Sequence, residues 1–122
     1  MAKTILLVDD SATSRMKSRA LFGNHKGYEI ISACDGKEGL EKALAHKPDL
    51  ILMDVEMPRM TGIEACRALR QNVVTKNTPI ILLTMRGEES AVQDGLDSGC
   101  TEYMLKPVNG EKLLAVLKKY LR

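Results

Sequence analysis

The chain contains few cysteine, proline and aromatic residues. Its 122 residues include three Cys, four Pro, three Tyr, one Phe and no Trp. The cysteines lie far apart and form no Cys-x-x-Cys or Cys/His spacing, which argues against a disulfide framework and against a zinc site. A chain of this length buries roughly two thirds of its unfolded surface, so it needs neither in order to fold. Three isolated thiols favour a reducing cytoplasm as the compartment.

An excess of one charge and long apolar runs are also missing. Eighteen Lys and Arg against sixteen Asp and Glu leave a formal net charge of +2, and the basic residues are scattered. This pattern gives no nucleic-acid-binding footprint. The apolar run at residues 5–8 stops at Asp9 and is too short for a signal-peptide core, and no run has the length of a membrane span. We expect neither nucleic acid nor membrane as a partner.

Short apolar runs alternate along the chain with segments of helical spacing. The helical segments include Leu40 with Ala43 and Leu44. Because the runs are continuously apolar, they predict a parallel sheet with helices on both faces. The sequence therefore predicts one α/β domain over residues 1–122, a doubly wound (βα)5 fold. The five predicted strands are residues 5–8, 28–33, 50–53, 79–83 and 103–105.

Several helix starts carry capping signals. Asp35 with Glu38 and Thr61 with Glu64 have the spacing of a capping box. Asn109 stands where it can cap the last helix. These signals place the second, third and fifth helices directly after short loops.

Polar side chains stand at the ends of four of the five predicted strands. Ligands of open parallel sheets bind at the carboxyl ends of the strands. If the strand order is the flavodoxin-like 2-1-3-4-5, these four strands are neighbours and their polar side chains face one crevice. An Asp at a strand end is also common as a helix cap or turn residue, but five such coincidences together are not expected. The residues are Asp9, Asp10, Asp54, Thr84 and Lys106.

The chemistry of this group points to a cation and an anion. Three neighbouring carboxylates repel one another unless a hard cation neutralises them, and an all-oxygen ligand set favours Mg2+. Lys106 and Thr84 at the same edge suit a further anion that accepts a hydrogen bond. Phosphate carries negative charge for Lys106 and accepts hydrogen bonds, so it satisfies both requirements.

In their order along the chain, these residues resemble the receiver domain of two-component response regulators. Each motif is weak alone, but the ordered set is specific and covers essentially the full chain. The motifs are residues 5–11 (ILLVDDS), 33–36 (ACDG), 48–54 (PDLILMD), 57–58 (MP), 60–62 (MTG), 79–84 (PIILLT) and 105–107 (LKP).

The resemblance implies a phosphoacceptor and a metal site. Asp54 would take a phosphoryl group from a phosphohistidine of a sensor histidine kinase or phosphotransfer protein, as carboxylate nucleophiles can. Asp9, Asp10 and Asp54 would hold Mg2+, with the backbone carbonyl of Glu56 as a further ligand. Magnesium suits an oxygen site that also receives a phosphoryl group.

The resemblance also implies a conformational switch. Lys106 and Thr84 would bond to phosphoryl oxygens, and the Lys106–Pro107 peptide would be cis. Thr84 would move toward the phosphoryl group while Tyr103 turns inward. The face formed by the fourth helix, fifth strand and fifth helix would then change its preference for protein partners. The alternative is that Tyr103 is an ordinary half-buried strand residue.

Three residues beside the predicted site depart from the usual pattern or flank it. Met85 follows Thr84 where many receivers have a small residue, and it could narrow access to Asp54. Glu56 and Arg86 could form a charge pair across the site and screen it from attacking water. Alternatively, both are solvated side chains that contribute under about 1 kcal/mol.

The predicted function is a phosphorelay switch whose output is the binding of a protein, not an enzyme in its own right. We expect a stand-alone regulator of the motility or chemotaxis type, monomeric or a phosphorylation-dependent homodimer. A receiver excised from a longer regulator has the same sequence pattern.

Three other functions remain open, with an argument against each. A magnesium-dependent aspartyl-phosphate phosphohydrolase of the haloacid dehalogenase type would carry its two carboxylates two residues apart, whereas Asp9 and Asp10 are adjacent. A flavodoxin-like electron carrier would place a flavin phosphate against Asp9 and Asp10. A phosphorylation-independent pseudo-receiver would lack part of the set of polar strand ends.

Overall fold

The computed structural model describes residues 3–23 and 27–121, which form ten alternating strands and helices. The strands are β1 (Lys3–Val8), β2 (Tyr28–Ala33), β3 (Leu50–Asp54), β4 (Ile80–Thr84) and β5 (Glu102–Leu105). The helices are α1 (Ala12–Gly23), α2 (Gly36–His46), α3 (Gly62–Arg70), α4 (Glu89–Asp97) and α5 (Gly110–Tyr120).

The strands form one parallel sheet in the order β2-β1-β3-β4-β5, which confirms the predicted fold class. The register places Val8 opposite Met53 and Asp54 opposite Leu83. Thr84 lies opposite Leu105. The carboxyl ends of β1, β3, β4 and β5 therefore meet at one edge of the sheet.

Hydrophobic side chains cover both faces of the sheet. Along β1, Leu6 and Val8 contribute to one buried cluster, and Ile5 and Leu7 contribute to the other. Because successive side chains of a strand point to opposite faces, a strand covered on both sides is apolar at every position. The first cluster includes Ala43, Ala65, Cys66 and Leu69 of α2 and α3, and the second includes Phe22, Leu113 and Leu117 of α1 and α5.

Two of the predicted helix caps form as expected, and one is only half formed. At α3, Thr61 and Glu64 make both bonds of the capping box. Asn109 Oδ1 accepts from the first amides of α5. At α2, Asp35 accepts from the Glu38 amide, but the Glu38 carboxylate accepts from the amide of residue 34.

Arg70 at the end of α3 fixes the loops that lead into β4 and β5. Its Nε donates to the Gly99 carbonyl at 2.7 Å, and its Nη1 donates to the Thr78 carbonyl at 2.7 Å. Nη1 also donates to the Thr75 carbonyl at 3.2 Å, and Nη2 donates to Thr101 Oγ1 at 3.3 Å. One guanidinium thus holds the amino ends of both strands, opposite the edge where the polar residues meet.

Two further features concern the helices and the cysteines. Within residues 3–23 and 27–121, every helix falls short of the length and hydropathy required to cross a membrane. Cys34 is exposed, Cys66 is buried and Cys100 is half-buried, and all three thiols are free.

Candidate phosphoacceptor and metal site

Three carboxylates meet at the carboxyl edge of the sheet. Asp9 and Asp10 directly follow β1, and Asp54 is the last residue of β3. One carboxylate oxygen from each lies within 4.8 Å of the others. Asp9 and Asp54 are buried while Asp10 is exposed, so the group opens to solvent on one side. Three oxygen donors at this spacing fit a hard divalent cation such as Mg2+.

The turn after β1 holds Asp9 in place. Asp9 Oδ1 accepts from the Ser11 amide at 2.8 Å, and the Asp9 carbonyl accepts from Arg15 Nη1 at 2.6 Å. The Ser11 hydroxyl accepts from the Ser14 amide at the start of α1. Arg15 is absent from the site residues that the sequence predicts. Its position in the first turn of the helix after Asp9 is the only sequence signal for this contact.

Lys106 is the direct partner of Asp54. Its Nζ lies 2.8 Å from Asp54 Oδ1, and its amide donates to the Thr84 carbonyl at 2.7 Å. The Lys106–Pro107 peptide is cis, as the resemblance to receivers implied. The ammonium group therefore reaches the last carboxylate of β3 from the end of β5.

Burial dominates the electrostatics of Asp54. The pKa of Asp54 is raised to about 7: desolvation by burial raises it most, the hydrogen bond from Lys106 lowers it, and the neighbouring Asp9 raises it. Burial thus makes the ionised form of the Asp54 carboxyl the costly one. A cation bound by Asp9, Asp10 and Asp54 would favour this ionised form.

A cleft of about 550 Å3 gives access to Asp54. Asp9, Asp54 and Lys106 line its polar end, and Leu21 and Leu113 belong to the part between α1 and α5. Met85 also lines the cleft, and its side chain is 71% exposed. Met85 therefore lies at the wall of the entrance, where the sequence predicted an effect on access.

Thr84 is fully buried at the end of β4 and binds Glu56. Its Oγ1 donates to Glu56 Oε2 at 2.6 Å and accepts from the Arg86 amide at 3.0 Å. The Met85 amide donates to the second oxygen of Glu56 at 2.8 Å. We call the bonds of Glu56 to Thr84 and Met85 the Glu56 clamp. This clamp joins the loop after β3 to the loop after β4.

The predicted charge pair between Glu56 and Arg86 is wrong. Arg86 Nε lies 3.4 Å from Glu88 Oε2, and the Arg86 side chain is 60% exposed. Among the described residues, Arg86 pairs with Glu88, and the two oxygens of Glu56 accept from Thr84 and Met85. Glu56 is exposed, as the alternative of a solvated side chain expects, but its carboxylate also accepts two hydrogen bonds.

Tyr103 is connected to Thr84 through Arg86. The Tyr103 hydroxyl donates to the Arg86 carbonyl at 3.1 Å, while the Arg86 amide donates to Thr84 Oγ1. The half-buried Tyr103 ring packs on Gly95 of α4, where an added Cβ would lie 2.4 Å from the ring. The ring, α4 and the loop after β4 therefore form one connected unit beside the site.

Residues 5–118 match the sequence model of the response regulator receiver domain. The chain belongs to the response regulator receiver family. Among curated relatives, the receiver is 38% identical over 122 residues to the response regulator ArlR of Staphylococcus saprophyticus. It is 40% identical over 124 residues to the alkaline phosphatase synthesis transcriptional regulatory protein PhoP of Bacillus subtilis. It covers 53% and 50% of these two relatives, so it spans about half their length.

Solved structures of similar proteins cover the receiver almost completely. The chemotaxis protein CheY4 of Vibrio cholerae superposes with a TM-score of 0.90 at 38% identity, covering 98% of this chain and 99% of that one. The receiver domain of the sensor histidine kinase PA1611 of Pseudomonas aeruginosa gives a TM-score of 0.90 at 27% identity, covering 99% and 98%. That structure is described as having a magnesium ion coordinated in its active-site cleft. The predicted family is confirmed.

Proposed function

We propose that Asp54 accepts a phosphoryl group from a phosphohistidine of a partner protein. The observation that carries this proposal is the buried Asp54 carboxylate between Lys106, at 2.8 Å, and the two further carboxylates within 4.8 Å. A carboxylate oxygen of Asp54 attacks phosphorus, the phosphorus–nitrogen bond breaks, and the imidazole leaves with its electron pair. The product is an aspartyl phosphate.

Positioning and charge neutralisation account for most of this proposed transfer. Mg2+ held by Asp9, Asp10, Asp54 and the Glu56 carbonyl would supply charge neutralisation for the incoming phosphoryl oxygens. The Lys106 ammonium would pair with another phosphoryl oxygen, as it now pairs with the carboxylate. The cleft between α1 and α5 leads to Asp54 and supports access for a partner's histidine side chain.

The test of this function is the intact mass of the wild-type chain after incubation with acetyl phosphate, with and without Mg2+. We expect one phosphoryl adduct that requires Mg2+, and fragmentation should place it on the peptide that contains Asp54. The absence of an adduct under both conditions would contradict phosphotransfer. The site would then be that of a pseudo-receiver which acts by binding alone.

Magnesium is expected to raise the thermal stability of the unphosphorylated chain. A ligand that binds only the folded state at 100 times its Kd adds about 2.7 kcal/mol. Because protons compete with the cation at the Asp54 carboxyl, whose pKa is raised to about 7, the increase in Tm should be larger at pH 8 than at pH 5. The measurement is differential scanning calorimetry across a Mg2+ titration.

The control for this titration is a pair of variants with equal charge change. Asp10→Asn removes one carboxylate of the acidic group, and Asp94→Asn removes an exposed carboxylate of α4. Only Asp10→Asn should reduce the Mg2+-dependent increase in Tm. Equal responses of the two variants would mean that Mg2+ acts at the general surface.

The proposed output is binding of a protein through the face formed by α4, β5 and α5. Leu96 on α4 and Leu105 on β5 are 49% and 52% exposed, and Tyr103 lies between the site and α4. Exposed apolar side chains of this size are candidates for contact with a partner. A change at Thr84 reaches this face through Arg86 and Tyr103.

Two settings for this switch have support from different relatives. The likeness to the Vibrio chemotaxis protein supports a single-domain regulator of motility or chemotaxis. In that case residues 1–122 form one receiver domain. A receiver from a longer regulator is supported by relatives of about twice the length, one described as a transcriptional regulatory protein. In either setting we propose a cytoplasmic protein that is monomeric or dimerises on phosphorylation.

A further inference from the structure

The Glu56 clamp uses the one proton that the Thr84 hydroxyl can donate. Thr84 Oγ1 donates to Glu56 Oε2 at 2.6 Å and accepts from the Arg86 amide at 3.0 Å. Donation to Glu56 therefore excludes simultaneous donation to any other acceptor. A hydrogen bond to a carboxylate is charge-assisted and roughly twice as strong as a neutral one. In this arrangement the Thr84 hydroxyl donates its proton to Glu56 and has none left for another acceptor.

Burial makes the clamp both stable and reversible. Glu56 is an exposed residue, whereas Thr84 is fully buried. A released Glu56 carboxylate returns to water, but the Thr84 hydroxyl needs a new acceptor because an unsatisfied buried polar group is costly. A phosphoryl group on Asp54 would supply acceptor oxygens at the end of the neighbouring strand. The clamp therefore persists until such an acceptor is present.

We propose that Glu56 is a positioning residue that keeps Thr84 and the start of the β4–α4 loop in their resting arrangement until a phosphoryl group on Asp54 competes for the Thr84 proton. This inference rests on the proposed function, because Asp54 must carry the phosphoryl group. Two hydrogen bonds to the Glu56 carboxylate then stabilise the resting arrangement of Thr84 and Met85. Breaking them frees the segment to which Tyr103 is bonded through the Arg86 carbonyl.

The test is a double-mutant cycle on the rate of phosphorylation by acetyl phosphate in Mg2+, followed by intact mass. Glu56→Ala is expected to accelerate the reaction about ten-fold, because Thr84 no longer has to leave the clamp. In a Thr84→Val background the same substitution should change the rate by less than about two-fold. An acceleration that persists without the hydroxyl would overturn the proposal, since Glu56 would then act through its charge.

Two conservative variants distinguish the loss of these hydrogen bonds from a folding defect. Thr84→Ser retains the hydroxyl, so the acceleration by Glu56→Ala should return in that background. Glu56→Gln offers one acceptor oxygen in place of two and should give a rate between those of the wild type and Glu56→Ala. Thermal unfolding of each variant shows which ones are folded at the assay temperature.

Glu88→Ala is the matched charge control. The Glu88 carboxylate lies 3.4 Å from Arg86 on the same loop and is not part of the Glu56 clamp. Its removal should leave the phosphorylation rate within about two-fold of the wild type. Equal acceleration by Glu88→Ala and Glu56→Ala would show a general effect of negative charge and would contradict the proposal.

The Met85 amide gives a readout that does not depend on rates. Its proton is hydrogen-bonded to Glu56 Oε1 in the resting protein. In 15N–1H spectra this resonance should move upfield in Glu56→Ala and also in the phosphorylated wild type. A resonance that is unchanged by both would overturn the clamp.

The outcomes separate this inference from the function on which it rests. If the wild type forms no adduct, both the phosphoacceptor and the clamp proposals fail. If adducts form at equal rates in the wild type and in Glu56→Ala, and the Met85 resonance is unchanged by phosphorylation, only the clamp fails.

Discussion

Replacing Asp54 with asparagine should abolish the Mg2+-dependent phosphoryl adduct while leaving the fold intact. Asparagine has nearly the shape of aspartate, but its amide is not a nucleophile toward phosphorus and it removes one negative charge from the metal site. The adduct should fall below detection in intact mass spectra. An adduct of wild-type yield in Asp54→Asn would move the phosphoacceptor to another residue.

The same variant should be at least as stable as the wild type near neutral pH without metal. Burial raises the pKa of Asp54 from the usual 3.8 to about 7, so the folded state retains a proton that the unfolded state has released. The stability that this proton contributes is fully present below pH 3.8 and is lost as the pH rises to about 7. Between pH 5 and pH 8 the wild type should therefore lose stability relative to Asp54→Asn.

Urea unfolding of both proteins at several pH values, with a chelator present, measures this difference. At pH 8 we expect Asp54→Asn to exceed the wild type by about 1 kcal/mol, the usual size of a gain from one favourable substitution. Parallel pH profiles for the two proteins would contradict the raised pKa. Loss of the adduct together with a gain in stability in Asp54→Asn would mean that Asp54 serves the chemistry of the site at a cost to the stability of the fold.

Gly62→Ala should cause the largest loss of stability among single-methyl additions near the site. An added Cβ would lie 2.1 Å from the Asp54 carbonyl oxygen and 2.9 Å from the Asp54 carbonyl carbon. These are backbone atoms of the last residue of β3, so the clash cannot be relieved by rotating a side chain. Overpacking of this kind costs about 3 kcal/mol, which lowers the Tm by about 10 °C.

Gly110→Ala is the matched control for this substitution. Gly62 and Gly110 are each the first residue of a helix and each follows a capping side chain. A Cβ at Gly110 would lie 3.1 Å from Leu21 Cδ1, the end of a flexible side chain. Calorimetry should give a Tm for Gly110→Ala within a few degrees of the wild type. Similar losses in both variants would mean that the strand-end clash is not the cause.

The sheet could be predicted because its strands are buried on both faces. Continuous apolar runs correctly located all five strands, but they ended two of them one residue early, before Asp54 and Thr84. Both residues still lie in the backbone ladder, opposite Leu83 and Leu105. Hydropathy could not show this, because backbone pairing does not depend on the polarity of the side chain.

The site was predictable where it depends on strand ends and unpredictable where it depends on loops. Parallel strands in a fixed order bring Asp9, Asp54 and Lys106 together wherever the loops lie. The partner of Glu56, in contrast, depends on how two loops approach each other, and the sequence offered Arg86 as the obvious opposite charge. Glu88 stands only two residues from Arg86 and competes for it.

The four hydrogen bonds of Arg70 have a mechanical consequence for signalling. They fasten the entrances of β4 and β5, whereas Thr84 and Lys106 stand at the exits of the same two strands. Because β4 is paired along its length to β3 and to β5, its amino end is held both by the sheet and by Arg70. Any rearrangement beside Asp54 should therefore be confined to the loops that follow β4 and β5, and the loops held by Arg70 should keep their positions.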